Sequence, residues 1–556
     1  MFLRKLFTIS LLGLLANLST AQITVGLIQY DSTINHDGYT LIAPTTSNET
    51  YLIDACGREV HRWVGNGTPG LSVYLLENGQ LLRTRRLSTP IFGAGGVGGG
   101  VELWNWEGDL LWKFDYASDL FHQHHDVEYL PNGHILIVAW DYRTREAAIA
   151  AGRDSLNLGS SFWPDHLIEI APMGSDSAQI VWEWYAWDHL IQDHDSTKAN
   201  YGNILEHPEL IDVNFDGAIN GNIPTARADW LHINAVQYNA ELDQIVLSSR
   251  HFSEIWVIDH STTTEEAASH SGGKYGKGGD LLYRWGNPQA YRRGGAADRT
   301  LYGQHDAHWI PADYPDGDQI MIFNNGIGRP GGSYSSVDII EPPIDPSGQY
   351  TIDGEAAFAP ENVAWTYFSP SLFDFYSRNI SGAQRLPNGH TLICEGAHGR
   401  LFEIAPDGQI LWEYINPVGI NGPVSQGDQP PNNQLFRAYR YASDYPAFDG
   451  KVLEPGLPLE LEPLPSPASC DSFIVSTTDL HTIPEWQLYP NPVQGQLTIE
   501  AQKGSTLEVL DFQGRSLERL RMRSTRQALD FSKWPAGMYW IRLNDQYIRK
   551  IMHLNP

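Results

Sequence analysis

Two nearly identical stretches stand far apart in the chain: Tyr129-Leu-Pro-Asn-Gly-His-Ile-Leu-Ile137 and Arg385-Leu-Pro-Asn-Gly-His-Thr-Leu-Ile393. A shorter copy reads Leu75-Leu-Glu-Asn-Gly-Gln-Leu-Leu82. Asn-Gly between two apolar runs predicts a β-hairpin in which both turn residues take positive φ angles. The sequence therefore predicts one type of hairpin that is repeated along the chain.

A second motif alternates with this hairpin: a glycine turn followed by a strand that ends in tryptophan. Its copies are Gly57-Arg-Glu-Val-His-Arg-Trp63, Gly108-Asp-Leu-Leu-Trp112, Gly279-Asp-Leu-Leu-Tyr-Arg-Trp285 and Gly408-Gln-Ile-Leu-Trp412, with weaker ones near Trp182-Glu-Trp184 and Trp365. Two hairpins per unit make a four-stranded sheet, so six tryptophan strands predict about six units. We predict an all-β fold, a six-bladed β-propeller over residues 22–450. A stacked array of β-sandwiches is the alternative.

The composition agrees with many short strands, since the chain has 52 Gly, 34 Pro, 18 Trp and 26 Tyr. The formal net charge is −29. The segment from Glu485 onward carries ten basic and seven acidic residues, which leaves −32 for the rest. Such an acidic body repels nucleic acid, and it requires a local cluster of cations for any anionic substrate.

The two ends and the cysteines add further expectations. Residues 1–21 have a basic start, an apolar run and small residues before Gln22, which predicts a signal peptide rather than a buried helix. No later segment reaches 18 apolar residues, so no transmembrane helix is expected. Cys56, Cys394 and Cys470 form neither a zinc pattern nor a disulfide framework, although one pair could still form.

A proline-rich linker is predicted at residues 451–484, followed by a small β-sandwich at 485–556. This last domain begins with Leu488-Tyr-Pro-Asn-Pro-Val493 and ends in the basic pair Arg549-Lys550. It resembles the sorting domains of the type IX secretion route of Bacteroidota. The resemblance implies contact with that secretion machinery and export through the periplasm, with secretion or surface attachment. A carbohydrate-binding sandwich is the alternative.

Histidines occur at corresponding places in several repeats. The stretches are His124-His125-Asp126, Asp229-Trp-Leu-His232-Ile-Asn234 and Gly303-Gln-His305-Asp306, with Ser381-Gly382 at that place in the last repeat. The innermost strands of a propeller line its channel, so these side chains should converge on one pocket. The alternatives are hydrogen-bonded core residues or a metal site.

The strand Ile245-Val-Leu-Ser-Ser-Arg250-His251 would bring a cation to the same pocket. The arginine fork matches a tetrahedral oxyanion, because its donors are planar and always charged.

Together with Phe323-Asn-Asn-Gly-Ile-Gly-Arg329, these motifs resemble the aryl-sulfate sulfotransferases over roughly residues 45–440. The resemblance implies a six-bladed propeller that moves a sulfuryl group from an aryl sulfate to a phenol, with no nucleotide donor and no catalytic cofactor. By motif, His305 would be sulfurylated, and His232 and Arg250 would bind sulfate. The fourth residue is His124 or His125, and we favour His125, which is level with His305 when counted from the hairpin turn.

Substrate binding is expected to involve a wider set of residues: His124, Arg250, Asn234, Tyr376 and Ser381. Tyr376 could help to move the proton of the phenol. Three rival functions remain: a hydrolase that releases sulfate to water, a non-catalytic glycan-binding or adhesion propeller, and an enzyme that holds a metal with the same histidines.

One insertion suggests a structural calcium. Asp212, Asn214, Asp216 and Asn220 occupy the first, third, fifth and ninth places of an EF-hand-like loop, with Gly217 at the sixth. The twelfth place is Ile223 rather than glutamate, so a polar turn is the alternative.

Overall fold

The computed structural model describes residues 24–31, 37–217, 228–464, 470, 486–511, 515–544 and 547–554. The predicted signal peptide lies outside these residues, as do Asn220 and Ile223 of the calcium-like loop. The chain divides into two units, Met1–Asp471 and Ser472–Pro556. In the described part of the chain, no helix is long and apolar enough to cross a membrane.

The described residues of the first unit form six antiparallel sheets of four or five strands. In order of hydrogen bonding, sheet 1 contains Leu435–Tyr441, Tyr39–Pro44, Glu49–Ile53 and Glu59–Val64. In the same order, sheet 2 contains Pro69–Leu75, Leu81–Arg86, Gly99–Trp104 and Leu110–Asp115. Sheet 3 contains Phe121–Tyr129, Ile135–Asp141, Asp165–Met173 and Ser177–Tyr185.

The other three sheets continue this pattern along the chain. Sheet 4 contains Ile233–Asn239, Gln244–Ser249, Glu254–Asp259 and Tyr283–Trp285. Sheet 5 contains His305–Trp309, Ile320–Asn324, Ser336–Ile340 and Trp365–Tyr367. Sheet 6 contains Gly382–Arg385, Thr391–Glu395, Arg400–Ile404, Ile410–Ile415 and, as a fifth strand, Gly26–Tyr30. Sheets 1 and 6 therefore each combine strands from both ends of the unit.

Smaller elements lie in the connections. Short paired strands are Arg143–Thr144 with Ser161–Phe162, Leu190–Ile191 with Ile211–Asp212, and Val418–Gly419 with Gly422–Pro423. Among the described residues, the α-helices are Arg145–Ala150 and Thr264–Ala267, and the 3-10 turns are Ser155–Asn157, Ala186–His189, Ile204–Glu206, Pro288–Tyr291, Leu372–Asp374, Gly396–His398 and Pro446–Phe448. The all-β prediction is confirmed.

The repeated hairpins turn differently from the prediction. In the turn from Leu130 to Gly133, the glycine amide donates to the Leu130 carbonyl, and the glycine alone has a positive φ, 85°. Pro131 and Asn132 are its central residues, as in a type I turn, where the fixed φ of proline suits the second place. The Asn132 side chain accepts a hydrogen bond from the His134 amide at 2.9 Å. The expectation of two positive φ angles was wrong, although the hairpin itself is present.

The tryptophans of the repeat lie on the fourth strand of each sheet, and five of them donate a hydrogen bond to the next sheet or its connections. The indole of Trp63 in sheet 1 donates to the Asn105 carbonyl of sheet 2 at 2.9 Å. Equivalent bonds run from Trp112 to Ser177, from Trp184 to Gly279, from Trp285 to Pro360, and from Trp412 to Ala55. The bond from Trp412 runs from sheet 6 back to sheet 1.

The first strands of several sheets meet around one buried guanidinium, that of Arg437 in sheet 1. Its Nη1 lies 2.8 Å from Asp126 Oδ2 in sheet 3, and its Nε lies 3.0 Å from Asp306 Oδ1 in sheet 5. Its Nη2 donates to the Asn234 carbonyl of sheet 4 at 2.8 Å. Its Nη1 also donates to the Tyr74 hydroxyl of sheet 2 at 3.0 Å.

The two aspartates extend this cluster. Asp126 accepts a hydrogen bond from the Tyr74 hydroxyl at 2.6 Å, and Asp306 accepts one from the Ala383 amide of sheet 6 at 2.9 Å. Burial lowers the pKa of Arg437, but the two carboxylates outweigh burial and raise that pKa well above its ordinary value. Buried charges are tolerated only when they are paired and hydrogen-bonded, so this cluster fixes the backbone beside His125 and His305.

We predict that Arg437→Met lowers the free energy of unfolding by about 3–5 kcal/mol, because it leaves two buried carboxylates without their cation. Urea denaturation of the first unit measures this change. The matched control is Arg62→Met, since Arg62 is partly exposed beside Glu49 and Glu59, and it should cost less than about 1 kcal/mol. Equal losses for the two variants would contradict the central role of Arg437.

The first unit continues beyond the last strand of sheet 1. The Gly456 amide donates to the Glu59 carbonyl at 2.7 Å, and the Glu59 amide donates to the Leu457 carbonyl at 3.0 Å. A disulfide joins Cys56 to Cys470, and the Cys394 thiol is buried and free. The predicted linker spans residues 451–484, and the first part of this stretch therefore packs on sheet 1.

The second unit contains two antiparallel sheets among its described residues. One sheet has strands Gln487–Tyr489, Gln496–Glu500 and Arg526–Asp530, and the other has Ser516–Arg521, Thr506–Asp511, Gly537–Leu543 and Tyr547–His553. Both sheets contribute to one hydrophobic core, which includes Leu497, Ile499, Leu507, Val509 and Ile541.

Candidate active site

A cavity of about 1110 Å³ opens beside the first strands of sheets 3, 4 and 5. It is lined by His125, His232, Arg250 and His305, the four residues that the sequence suggested as catalytic. The glycine-rich segment 93–97 also lines it. A Cβ atom at Gly96 would lie 1.9 Å from an imidazole carbon of His125, so only glycine allows the segment to approach that ring.

His305 is buried, and its hydrogen bonds define its tautomer. The Asn325 amide nitrogen donates to the carbonyls of Ser377 and Ile380, at 2.8 and 3.0 Å. The Asn325 oxygen therefore accepts from His305 Nδ1, which lies 2.7 Å away and must carry the proton. His305 Nε2 is left unprotonated and accepts the Ile380 amide at 3.2 Å.

Burial, and after it the charge of Arg250, lower the pKa of His305 well below its ordinary value. Burial likewise lowers the pKa of His125 well below its ordinary value. Both imidazoles are therefore neutral near pH 7, and the nucleophilic form of a histidine is the neutral one.

His232 is bound to a carboxylate. Its Nδ1 lies 2.5 Å from Asp229 Oδ2, and Asp229 Oδ1 accepts the Trp140 indole at 2.9 Å. The His251 ring stacks on His232 with 4.7 Å between ring centroids. Asp229, His232 and His251 each place a possible ligand atom within 4.8 Å of the others, so these three residues could hold a metal ion.

A chain of hydrogen bonds stands behind His125. His125 Nδ1 lies 2.8 Å from His124 Nδ1, and His124 Nε2 lies 3.0 Å from Asp165 Oδ1. Asp165 Oδ2 accepts the Ile233 amide at 2.8 Å. Burial lowers the pKa of His124 to about 3, and burial with nearby Asp229 raises the pKa of Asp165 well above its ordinary value.

Five residues that line the cavity, glycines aside, have backbone conformations that side chains rarely adopt. The φ angles are 51° for His125, 55° for His232 and 50° for Ile380, and Leu71 and Asn432 also have positive values, 122° and 54°. Such conformations cost on the order of 1–3 kcal/mol each and persist only where the surrounding structure imposes them. Isoleucine is especially unfavourable there because its Cβ is branched.

Three arginines line the cavity: Arg86, Arg250 and Arg378. The chain carries a net charge of −29, so this group is the local cluster of cations that an anionic substrate requires.

The other predicted substrate-binding residues lie outside the cavity lining. His124 is fully buried behind His125, where it stacks on Trp140. The Asn234 amide donates to the Gln304 carbonyl at 2.8 Å, so it supports the strand of His305 instead.

Ser381 is buried and donates to the Ser377 hydroxyl at 2.8 Å. Tyr376 lines a different concave surface, together with Glu395, His398 and Arg400. The chain from Phe375 to Ile380 passes from this surface to the cavity, which Ile380 lines.

Several residues of the site are not among those predicted from the sequence. Asp229 and Asn325 stand inside the quoted motifs, so a search for a hydrogen-bond partner of each histidine could have found them. The segment 93–100 has six glycines in eight residues, which is a visible signal for close backbone approach. Asp165 and Arg378 lie in stretches with no pattern that marks them.

The calcium-like loop has protein partners at its described residues. Asp216 pairs with Arg153, Asn214 Oδ1 accepts the Asp154 amide at 2.7 Å, and Asp212 lies 3.3 Å from Arg292. Calcium binding by this loop stays a prediction.

An all-β unit with an open pocket lined by buried histidines and by arginines defines a class of protein suited to bind a small oxyanion. Residues 104–414, more than half of the chain, match the family described as Arylsulfotransferase (ASST). The chain belongs to the arylsulfotransferase family. Residues 487–553 match the secretion system C-terminal sorting domain, the kind of domain that the tail motif suggested.

Individual relatives are more distant. The arylsulfate sulfotransferase AssT of Lelliottia amnigena is 27% identical over 229 residues, which cover 38% of this chain and 36% of that protein. The match thus spans about a third of the length of this curated relative.

Solved structures give only weak similarity. A protein of unknown function from Bacteroides caccae is 10% identical over 68% of this chain and 93% of its own, with a TM-score of 0.35. The periplasmic gluconolactonase PpgL of Pseudomonas aeruginosa is 12% identical over 67% of this chain and 94% of its own, with a TM-score of 0.33. Scores of this size carry no argument about function.

Proposed function

We propose that the first unit transfers a sulfuryl group from an aryl sulfate to a phenol through a sulfurylated His305. The observation that carries this proposal is the tautomer of His305. The Asn325 oxygen holds the proton on Nδ1, and Nε2 keeps its lone pair in a cavity that also contains Arg250 and His232. Membership of the arylsulfotransferase family supports the same reaction.

In the first half of the reaction, His305 Nε2 exchanges its hydrogen bond with the Ile380 amide for a bond to sulfur. The bond between sulfur and the aryl oxygen breaks, and the phenolate leaves with that electron pair. The ring then carries the sulfuryl group on Nε2 and its proton on Nδ1, still bound to Asn325. In the second half, a phenol oxygen attacks sulfur and His305 Nε2 leaves with its electron pair.

The sulfuryl oxygens remain negative throughout the transfer, so cations must hold them. Arg250 lines the cavity and influences His305 electrostatically, which favours it for this role. His232 is bound to the Asp229 carboxylate, which favours a positive imidazolium when an anion enters. Fixed donors of this kind stabilise a transition state without having to reorganise.

His125 is suited to protonate the departing phenolate. When Asp165 is protonated, the proton of its carboxyl group faces His124 Nε2. His124 then carries its own proton on Nδ1, which faces His125 Nδ1. His125 therefore carries its proton on Nε2. Transfer along this chain gives one proton to the phenolate, leaves both histidines neutral and leaves Asp165 as a carboxylate. The reverse transfer deprotonates the incoming phenol.

The six sheets are proposed to form the blades of one propeller. First strands of consecutive sheets contact one another, the tryptophan bonds connect most consecutive pairs, and sheet 6 is bonded to sheet 1. Such a ring would explain why His125, His232 and His305, on three consecutive sheets, line one cavity.

We predict that His305→Asn lowers sulfuryl transfer from 4-nitrophenyl sulfate to phenol by more than about 10³-fold, because the nucleophilic nitrogen is removed. Wild-type protein incubated with donor alone should carry an added SO3 mass on the peptide that contains His305. Peptide mapping after an alkaline quench measures this. A label on His232 or His125 would move the role to that residue, and product without any label would refute the covalent step.

The contrasting variant is Arg250→Met. Arg250 would contact the sulfuryl group in both the ground state and the transition state, so its loss should raise KM as well as lower kcat. Release of inorganic sulfate without a phenol would indicate a hydrolase, and loss of activity with a chelator would indicate a metal enzyme.

A further prediction concerns the proton chain. His125→Gln should lower transfer from phenyl sulfate by about 10²-fold or more, since this leaving group needs a proton. The same variant should affect 4-nitrophenyl sulfate less, because nitrophenolate leaves readily without one. Asp165→Asn should lower the initial rates with both donors, as His125→Gln does. An equal effect on both donors would contradict proton donation by His125.

The second unit is proposed to direct export by the type IX route, in line with its match to a sorting domain. We predict that deletion of residues 485–556 stops export but leaves transferase activity in the cell. The reason is that this unit has its own core. Immunoblots of the medium and cell fractions, with activity assays, measure both effects. Export of the truncated chain would contradict the role of the unit.

A further inference from the structure

Two insertions that interrupt the repeats meet at a group of side chains that do not line the cavity. His189 belongs to the insertion between residues 144 and 228, and His270 belongs to the one between 262 and 279. Both rings contact Asp280, which follows the second insertion. We propose that His189, His270 and Asp280 form a binding site for a divalent transition-metal ion such as zinc, which joins the two insertions.

The hydrogen bonds of His189 support a cation at this place. Its Nε2 lies 2.9 Å from the Ala267 carbonyl, which can only accept, so Nε2 carries a proton. In the neutral ring, Nδ1 then has a lone pair, and this lone pair faces Asp280 Oδ1 at 2.8 Å. Two lone pairs repel each other at that distance unless a proton or a metal ion lies between them.

The second histidine completes a ligand set. His270 Nδ1 lies 2.8 Å from the same Asp280 oxygen, and the three ligand atoms lie within 4.8 Å of one another. Metal–ligand distances of about 2.0–2.2 Å place tetrahedral zinc ligands about 3.3 Å apart, so a small outward movement of each group makes room for the ion. Two imidazoles and one carboxylate suit zinc and its neighbours and leave a fourth place for water.

The surroundings of His189 have the features of a supported ligand. A metal-binding histidine usually donates its other ring nitrogen to a carbonyl or a carboxylate, as His189 does to Ala267. The ring is fully buried and stacks on Trp184 with 8° between the planes. A Cβ at Gly279 would lie 2.6 Å from His189 Nε2, so glycine at that place lets the second insertion close over the ring.

The site is open to solvent on the side of His270. His270 is 61% exposed, which leaves a route by which an ion can enter and allows substitution without disturbing the core.

The test uses the full chain, stripped of metal with a chelator and titrated with Zn²⁺. Elemental mass spectrometry counts the bound ions per chain, and Co²⁺ in place of Zn²⁺ should give the strong visible absorption of a tetrahedral site. Wild-type protein should bind one more ion per chain than His270→Ala, and the cobalt band should disappear in that variant. Aryl sulfate transfer by His270→Ala should remain unchanged.

The matched control is His207→Ala, because His207 is also partly exposed and pairs with a carboxylate, Glu209, but lies in no three-ligand group among the described residues. It should bind as many ions as the wild type. Metal held by Asp229, His232 and His251 would remain in both variants. It can therefore be distinguished from metal held by His189, His270 and Asp280. Equal metal content in wild type and His270→Ala would overturn the proposal. His189 would then be an imidazolium that forms an ion pair with the Asp280 carboxylate.

Discussion

The ion cluster of Arg437, Asp126 and Asp306 is the interaction on which the rest of the first unit depends. It brings a single cation from sheet 1 to carboxylates of sheets 3 and 5, and it also binds groups of sheets 2 and 4. Each aspartate directly follows a histidine of the cavity. Because a buried ion pair tolerates little displacement, the backbones that carry His125 and His305 are held at a fixed separation.

This rigid support explains how the cavity can contain unfavourable local structure. His125 and His232 have positive φ angles, and both histidines approach each other with 4.5 Å between ring centroids. An isolated strand would relax to an ordinary conformation. In the folded unit, the arginine cluster connects the first strands of the sheets, and the tryptophan hydrogen bonds connect fourth strands to neighbouring sheets. The strain is therefore retained where it places imidazoles in the cavity.

The sequence predicted the features that depend on neighbouring residues. Hairpins, tryptophan strands and the second unit follow local patterns, and the histidines stand at matching places in the repeats. The pairs that orient these histidines join residues far apart in the chain, such as His124 with Asp165 and His305 with Asn325. Asn325 stands in a quoted motif and could have been proposed as a partner, whereas no local pattern marks Asp165. Tyr376 lies outside the cavity lining for a similar reason, because it belongs to a connection whose path depends on packing. The turn type differs from the prediction because Asn and Gly occupy the third and fourth places of the turn and not its two central places. The same turn forms at Leu76–Gly79, where glutamate stands at the second place.

The partner of each histidine nitrogen provides a physical basis for different roles within one protein. His305 Nδ1 is bound to a neutral amide oxygen, which fixes the tautomer without favouring an additional proton. The carboxylate bound to His232 favours the imidazolium, the form suited to hold an anion. His189 also faces a carboxylate, but its second nitrogen already donates to a carbonyl, so either a second proton or a metal ion must lie between the ring and the carboxylate. An aspartate in place of Asn325 would give His305 the environment of His232, and the ring would then be protonated when it should attack sulfur.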